Sequence, residues 1–337
     1  MTIKDIASRC GVSVSTVSRV LNARPDVSEA VREKVLRAVE ELHYVPNNTA
    51  RDLVMSGSDA IGLIVRGVGN PFFTEIIPVI EHAVSSAGYT MVLSQIKSGE
   101  DELWAGASLV RSKRLRGLIF LGGDFDYCDD DVAVLDVPFV CCTYTNFFGN
   151  LSVDKYSSVT INDMEAAYNA VDMLIKKGHR RIAALLSAAD DRSISELRYM
   201  GYRKALEDNG IALDSELVLQ CGSYGMESAH AAVLTLAESG KDFSAIFAIS
   251  DSQAIAAMKA LHGSGRSVPD DCSVVAIDGI ELSAYAVPTL TTLSQPKTEL
   301  GRRSVEILLD MIEGRAGNRH ALLAPSLRTG GSVAPKL

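Results

Sequence analysis

The feature that most constrains the fold is a series of short runs that are apolar on both faces, separated by stretches with helical spacing. The runs lie at 60–65, 89–95, 117–122, 137–143, 181–186, 245–250 and 272–278. The predicted helices lie at 72–87, 163–177, 195–209, 226–239 and 251–262. Such runs, linked by helices, are typical of parallel sheets covered on two sides. At 337 residues the chain is too long for one ordinary compact domain. The number of predicted strands across residues 58–337 leads us to expect two doubly wound lobes there.

Ligands of such sheets bind at the carboxyl ends of the strands. The segments that follow the predicted strands are therefore the candidate ligand contacts. They are Arg66 to Phe73, Thr143, Ser187 to Arg198, Ser250, Asp251 and Asp278.

The segment before residue 46 follows a different pattern, with helical spacing only. Residues 3–10 carry an apolar stripe, and Gly11 separates this predicted helix from a second one that Ser13 can cap. A third helix is predicted to begin near Ser28 and to stop before Pro46. Two helices joined by a Gly-containing turn, with a third closing the core, fit the helix-turn-helix plan.

The outward face of the second helix is entirely polar and carries Ser15, Ser18, Arg19 and Asn22. Short hydroxyls approach phosphates and base edges closely, and an arginine can grip guanine through two hydrogen bonds. The chain has a net charge of −9, but residues 1–25 carry four cations against one acid, which leaves −12 for the rest. A cationic tip on an acidic body indicates contact with a polyanion at one end only.

This segment, "TIKDIASRCGVSVSTVSRVLNARPDVSEAVREKVLRAVEELHYVPNNTARDL", resembles the DNA-binding head of the LacI/GalR family of bacterial transcriptional regulators. The resemblance runs without a gap through Leu53 and continues more loosely along the rest of the chain. It implies an α/β fold in which a helix-turn-helix head precedes a periplasmic-binding-protein-like core of two doubly wound parallel-sheet lobes. The expected parts are a head at 1–45, a hinge at 46–57 and a core at 58–337, with an N-lobe of about 58–160 plus 296–322 and a C-lobe of about 162–293 plus 326–337.

The resemblance also implies which residues contact DNA. Val14 and Ser15 correspond to the positions that discriminate operators. Because these side chains are small, we expect Arg19 to supply much of the base discrimination. The implied set is Thr2, Lys4, Val14, Ser15, Thr16, Ser18, Arg19, Asn22, Asn47, Ala50 and Leu53.

The hinge "PNNTARDLVMSG" is too short to hold a helix alone in water, and by itself it reads equally as an ordinary linker. In the family this segment folds on the operator, pairs with its twin and wedges a leucine, here Leu53, into the minor groove. Folding coupled to binding would make the hinge a switch.

In the core, the resemblance assigns Phe73 or its neighbour Phe72 to stacking on a small-molecule effector, and Arg198 and Asp278 to its polar groups. An arginine and an aspartate that converge with an aromatic side chain suit a sugar. The expected effector-binding residues are Phe72, Phe73, Thr143, Arg198, Tyr224, Ser250, Asp251 and Asp278.

Each of these assignments has an alternative. Phe73 can be plain core, Asp251 can cap a helix without touching ligand, and Arg198 can pair with Glu196 or Asp191 at the surface. Tyr224 is a candidate for a second stacking wall.

The chain also departs from the family pattern at Thr143, at Gly279 and in an additional loop over 144–158. Pro78 lies inside a predicted helix, at an interior cost of ~3 kcal/mol. The additional loop can reshape the mouth of the pocket.

The sequence therefore predicts a cytoplasmic, homodimeric DNA-binding regulator, usually a repressor in this family, with a pseudo-palindromic operator and a carbohydrate effector. The alternatives are a regulator that responds to a nucleobase or a sugar phosphate, a periplasmic-type solute-binding protein, and an α/β enzyme with a fused DNA-binding module. The amino terminus has no apolar signal region, and the chain has no run of ~20 apolar residues, so neither secretion nor a membrane span is expected.

No catalytic residue, metal site or cofactor is expected. The chain has no GxGxxG, Walker or GxSxG motif, its six cysteines show no CxxC spacing, and its six histidines form no metal-spaced pair. The dimer face is expected to involve helices 72–87 and 100–112, with 251–262 or 281–286.

Overall fold

A computed structural model describes most of the chain, which divides into two compact units, Met1–Ser58 and Asp59–Leu337. The described residues are 3–21, 24, 27–41, 59–67, 69–97, 99–123, 126–187 and 192–336. The predicted hinge at 46–57 lies outside them.

The first unit contains the three expected helices, α1 Ile3–Cys10, α2 Val14–Leu21 and α3 Glu29–Glu41. Gly11 takes a left-handed φ of 60° and so ends α1 in a tight turn. The apolar stripes of the three helices form one small core. Its buried members are Ile6, Ala7, Cys10, Val17, Val20, Val35 and Ala38.

The second unit contains two six-stranded sheets. The first has the order β11-β5-β4-β3-β1-β2 and is parallel throughout. Its strands are β1 Ala60–Arg66, β2 Thr90–Ile96, β3 Gly117–Leu121, β4 Phe139–Cys142, β5 Ser157–Ile161 and β11 His320–Leu323.

The second sheet has the order β12-β10-β9-β8-β6-β7, and only the edge strand β12 runs antiparallel to its neighbour. Its strands are β6 Ile182–Leu186, β7 Val218–Gln220, β8 Ala245–Ala248, β9 Ser273–Asp278, β10 Thr291–Ser294 and β12 Ser326–Arg328.

Helices cover both faces of each sheet. With the first sheet, α4 Pro71–Ser86, α5 Glu102–Lys113, α6 Asp129–Val132 and α11 Lys297–Ile312 form lobe 1. With the second sheet, α7 Asp163–Lys176, α8 Ile194–Asp208, α9 Met226–Glu238 and α10 Asp251–Gly263 form lobe 2. Two 3-10 turns, Ser215–Leu217 and Glu281–Ala284, belong to lobe 2.

The chain passes between the lobes three times, at residue 162, at 295–296 and at 324–325. Every residue of β3, β6 and β8 is buried, which is what covering both faces of a parallel sheet requires. The helix α4 runs through Pro78 without a break.

Several strands were not predicted from the sequence. β5 has the sequence SSVTI and begins with two serines, so the loop expected at 144–158 in fact ends at Tyr156, and Ser157 and Ser158 lie in the sheet. The others, β7 and β10 to β12, are only three or four residues long. None of them has the continuous apolar run that identifies a buried strand.

The carboxyl edges of the two sheets face each other across a cleft. Asp126, which follows β3, pairs with Arg192, which follows β6, at 3.7 Å. Glu75, which follows β1 along the chain, accepts a hydrogen bond of 2.7 Å from the backbone N–H of Glu281, which follows β9. Because each contact joins a residue beyond the carboxyl end of a strand in one lobe to its counterpart in the other, the ligand-binding edges of both sheets line the same cleft.

Candidate functional site

The outward face of α2 is the first candidate site. The Ser13 hydroxyl accepts a hydrogen bond of 3.1 Å from the Thr16 N–H and lies 2.7 Å from the Ser15 hydroxyl, so it caps the helix as predicted. Val14, Ser15 and Arg19 are exposed, and the Val14 side chain is 40% exposed although it is apolar. An exposed valine beside hydroxyls and a guanidinium offers contacts to a thymine methyl, to phosphates and to guanine.

The rest of the predicted DNA-contacting set is partly described. Thr16 and Ser18 are half-buried at the edge of the same face. Lys4 belongs to α1, and its side chain lies outside what the structure describes. The predicted contacts Thr2, Asn22, Asn47, Ala50 and Leu53 also lie outside the described residues.

The second candidate site is centred on Arg198, which α8 brings to the carboxyl edge of the second sheet. Its guanidinium pairs with Asp163 at 2.8 Å and with Asp278 at 3.3 Å, and it also donates to the carbonyl of Ile249. All three charged side chains are buried. The predicted alternative, a surface pair with Glu196, is therefore wrong for Arg198, and Asp191 lies outside the described residues.

Burial sets the protonation of this cluster. Desolvation raises the pKa of Asp163 to about 6, against the lowering influence of Arg198. Desolvation also raises the pKa of Asp278, although Arg198 and a 2.9 Å hydrogen bond from Gln295 act in the opposite direction. Burial alone would lower the pKa of Arg198, but the two carboxylates raise it, so the arginine stays charged.

Asp251 lies beside this cluster as the first residue of α10. It is not the helix cap: the Ser250 hydroxyl takes that position and accepts from the Gln253 N–H at 3.3 Å. The buried Asp251 carboxylate instead accepts from the Ile280 N–H at 2.9 Å and from the Thr292 hydroxyl at 2.5 Å. Burial and the nearby charge of Asp278 raise the pKa of Asp251 to about 7.

Lobe 1 contributes an aromatic wall. Asn70 caps α4 by accepting from the Phe72 N–H at 3.1 Å, which fixes the first turn of that helix. Phe72 is buried in the lobe 1 core, whereas Phe73 is half-buried and packs its ring on Gly122 at the end of β3. A Cβ on Gly122 would lie 2.5 Å from the Phe73 ring, so only glycine permits this packing.

Gly123 likewise leaves room for side chains that pack against its backbone, here Tyr144 and Glu102 of lobe 1. A Cβ there would lie 2.7 Å from the Tyr144 ring and 2.8 Å from the Glu102 carboxylate. Glu102 is fully buried and pairs with Arg66 at 2.7 Å. Arg66 also donates to the carbonyls of Lys97 and Glu100, so it holds the loop between β2 and α5 in place.

Two residues at strand ends have unusual backbone conformations. Thr143 follows β4 with a φ of 78°, and Asp278 ends β9 with a φ of 132°. A β-branched residue such as Thr143 rarely adopts a positive φ. Backbone strain of this kind costs of order 1–3 kcal/mol per residue and clusters at functional sites. The strained positions are two of the predicted effector contacts.

The remaining predicted contact, Tyr224, is half-buried, and its hydroxyl lies 3.4 Å from that of Ser193 at the start of α8. The structure thus brings Arg198, Asp251, Asp278 and Tyr224 to one edge of lobe 2, and Phe73 and Thr143 to the facing edge of lobe 1.

The sequence reasoning missed four polar side chains at these edges: Glu102, Asp163, Gln253 and Gln295. Glu102 and Asp163 each begin a helix, where an acid is expected for the helix dipole alone. Gln253 donates to the carbonyls of Leu186 and Ser223, and its own side-chain oxygen is buried with no hydrogen-bond partner. The described residues contain no cluster of three or more potential metal ligands.

A head of three helices with an exposed polar face, followed by two α/β lobes around a polar cleft, defines a DNA-binding regulator with a ligand-sensing core. The head, residues 2–47, matches the lacI family of bacterial regulatory proteins, and residues 171–333 match a periplasmic binding protein-like domain. The chain is 40% identical to the HTH-type transcriptional regulator MalR of Clostridium butyricum over 97% of both chains. It therefore belongs to the lacI family.

Solved structures resemble the whole chain. The complex of the transcriptional regulator CelR with cellobiose is 31% identical, with a TM-score of 0.71 and coverage of 98% of this chain and 99% of CelR. The lac repressor dimer bound to operator and the anti-inducer ONPF is 29% identical, with a TM-score of 0.76 and coverage of 99% of both chains.

In the described part of this chain, no helix is both long and apolar enough to cross a membrane.

Proposed function

We propose that this chain is a homodimeric repressor that binds a pseudo-palindromic operator. Its affinity for the operator falls or rises when a neutral sugar binds between its lobes. The observation that carries the sugar assignment is the buried Arg198 with its two carboxylates at the carboxyl edge of the second sheet, together with Phe73 at the carboxyl edge of the first. Such an array matches the hydroxyl edge and the apolar C–H face of a sugar ring. CelR, a relative of the same fold, was solved with cellobiose.

Charge separates a neutral sugar from a sugar phosphate. Arg66 pairs with Glu102, Arg198 with Asp163 and Asp278, and Arg192 with Asp126. With Asp251, the described side chains at the cleft include five acids and three cations. A phosphate dianion would have to compete with carboxylates for each of these cations, so we favour an uncharged ligand.

The dimer is the second part of this proposal. Leu93 and Trp104 are exposed in lobe 1, where a groove of about 480 Å³ runs between β2 and α5. In lobe 2, Tyr285 and Val287 are 75% and 94% exposed. Large apolar side chains exposed on a protein surface are typical of a protein–protein interface. The lac repressor, which has this fold, was solved as a dimer. We assign these surfaces to a second copy of the chain.

Because relatives of this chain are DNA-binding regulators, we propose a binding role rather than a catalytic one. A protein that binds a bacterial operator acts where the chromosome is, so we place it in the cytoplasm.

The test has two arms. In the first, purified protein selects duplexes from a random pool, and anisotropy then compares the selected duplex with a scrambled one at rising salt. We expect a palindromic selection and an affinity that falls steeply with salt. Selection of no sequence over the scrambled duplex contradicts the repressor assignment.

In the second arm, thermal shift compares cellobiose, maltose, D-glucose and D-ribose with glucose 6-phosphate, adenine and guanine. A ligand at one hundred times its Kd stabilises the folded state by about 2.7 kcal/mol, which is easily seen. A response to purines or phosphates alone would overturn the sugar assignment and leave the regulator assignment intact.

A further inference from the structure

A series of polar and apolar contacts joins Asp278, the predicted effector contact of lobe 2, to helix α4 of lobe 1. It runs through the four residues 278–281, which follow strand β9. The Asp278 carboxylate accepts hydrogen bonds from Arg198 and Gln295. A ligand that binds at the cleft edge therefore acts on the position of Asp278. The next three residues each make a contact that fixes the path of the chain toward lobe 1.

Gly279 has a φ of 69°, and a Cβ on it would lie 2.1 Å from the Ser294 hydroxyl. Its place beside Asp278, unexplained by the sequence, is therefore a steric requirement. Ile280 is fully buried and joins the core cluster of lobe 1 that contains Phe72 and Ile76. Two residues beyond Asp278 of lobe 2, the chain is thus embedded in the other lobe.

Two charged side chains close the link. The Glu75 carboxylate on α4 accepts from the Glu281 N–H at 2.7 Å and pairs with the Lys297 ammonium at 3.3 Å. Lys297, the first residue of α11, also donates to the carbonyls of Asp278 and Gly279. Glu75 lies one turn along α4 from Phe72 and two residues from Phe73.

We propose that Glu75 and Lys297 are positioning residues that transmit occupancy of the cleft to helix α4 and thereby set operator affinity. The inference rests on the proposed function. A ligand that moves Asp278 moves the carbonyls that Lys297 holds, and the ion pair passes this displacement to α4. Neither side chain needs to touch the effector. Their substitution therefore changes the coupling between the two ligands more than the affinity for either one.

The test compares wild type with Glu75→Gln and Lys297→Met, and with the double variant. The ligands are the neutral sugar that gives the largest thermal shift in the panel above and a duplex selected by the wild-type protein. The measured quantity is the ratio of duplex Kd values with and without saturating sugar. We expect this ratio to move at least tenfold toward one in each single variant, and the double variant to be no worse, because both changes break one link.

The Kd for the sugar alone should stay within about threefold of wild type. By reciprocity, the effect of duplex on sugar affinity must shrink by the same factor as the effect of sugar on duplex affinity. Lys297→Arg keeps the charge and the donors and should restore most of the ratio. The matched control is Arg302→Gln, which breaks an exposed pair with Glu299 of 2.7 Å on the same helix and should leave the ratio unchanged.

The outcomes are distinct. If wild type is coupled and both single variants keep the wild-type ratio, the link is wrong and the proposed function stands. A lowered melting temperature with an unchanged ratio assigns the pair a purely structural role and also overturns the inference. If wild type binds neither a selected duplex nor a sugar, or binds both without coupling, the proposed function fails and this inference fails with it.

Discussion

Arg198 and Asp163 form a buried ion pair in which the guanidinium Nε and Nη2 lie 2.9 and 2.8 Å from one carboxylate oxygen. The two residues come from adjacent helices of lobe 2, α8 and α7, and both project to the cleft edge of its sheet. A pair taken out of water on both sides is costly to break, since the remaining partner keeps its desolvation penalty without compensation.

Arg198→Met should therefore destabilise the core strongly. Removing one member of a buried pair costs about 3–5 kcal/mol, and here two carboxylates lose their cation. Urea unfolding followed by circular dichroism measures the loss. The matched control is Arg181→Met: Arg181 pairs with Asp214 at 3.0 Å but is 44% exposed, so its loss should cost less than about 1 kcal/mol. Equal losses in the two variants would show that Arg198 is not a buried charge.

How far the sequence predicts this site depends on where each residue lies. Arg198 and Asp278 were predicted because parallel strands end where ligands bind, and a run of buried residues marks each strand. Asp163 and Glu102 were missed since each stands in the first turn of a helix, where an exposed acid is ordinary. Their burial comes from tertiary packing, which no local pattern encodes.

The glycines of "FLGGDF" illustrate the same limit. In the sequence they resemble a weak phosphate-binding loop, and the acids that follow argue against that interpretation. In the structure their role is to let rings approach the backbone, a property set by Phe73 and Tyr144 from distant segments. The fold was more predictable than the site because hydrophobic periodicity is local, and the strands it missed are the short ones and one with a polar start.

Gly122→Ala tests the aromatic wall. The new methyl would meet the Phe73 ring at 2.5 Å, so the ring must move, and we expect sugar affinity to fall about tenfold as roughly one aromatic contact is lost. Calorimetric titration with the best sugar of the panel gives the Kd. Gly240→Ala is the control, because Gly240 has a similar φ of 74° but open space around its Cβ position. Both variants share a backbone cost of about 1–2 kcal/mol. If both bind sugar as wild type does, Phe73 does not stack on the ligand.

Asp251→Asn should change how stability depends on pH. Burial raises the pKa of Asp251 from 3.8 to about 7, so between these values the folded chain holds a proton that the unfolded chain has lost. The folded state binds more protons there, and this contribution to stability declines as the pH rises from about 4 to about 7. Asparagine does not titrate, and the free energy of unfolding of the variant should therefore fall less steeply across that window.

Urea titrations at half-unit intervals from pH 4.5 to pH 7.5 measure the slope in both proteins. Asp271→Asn serves as the control: hydrogen bonds from Ser267 lower the pKa of this exposed carboxyl, so its titration lies below the window. Parallel curves for wild type and Asp251→Asn would mean that Asp251 is already ionised at pH 4.5.

Arg19→Ala addresses the reading face of the head. Arg19 is exposed on the outward side of α2, between small side chains that discriminate bases weakly, so it should carry most of the sequence preference. We expect affinity for the selected duplex to fall about tenfold to a hundredfold, and affinity for a scrambled duplex to fall much less. Arg37→Ala removes an equally charged side chain from α3, where it pairs with Glu33 at 3.3 Å, and should spare the preference.

Anisotropy at fixed salt compares the four combinations of protein and duplex for each substitution. An equal loss on both duplexes would reassign Arg19 to the phosphate backbone, and the base preference would then have to come from Val14, Ser15 and the shape of the DNA.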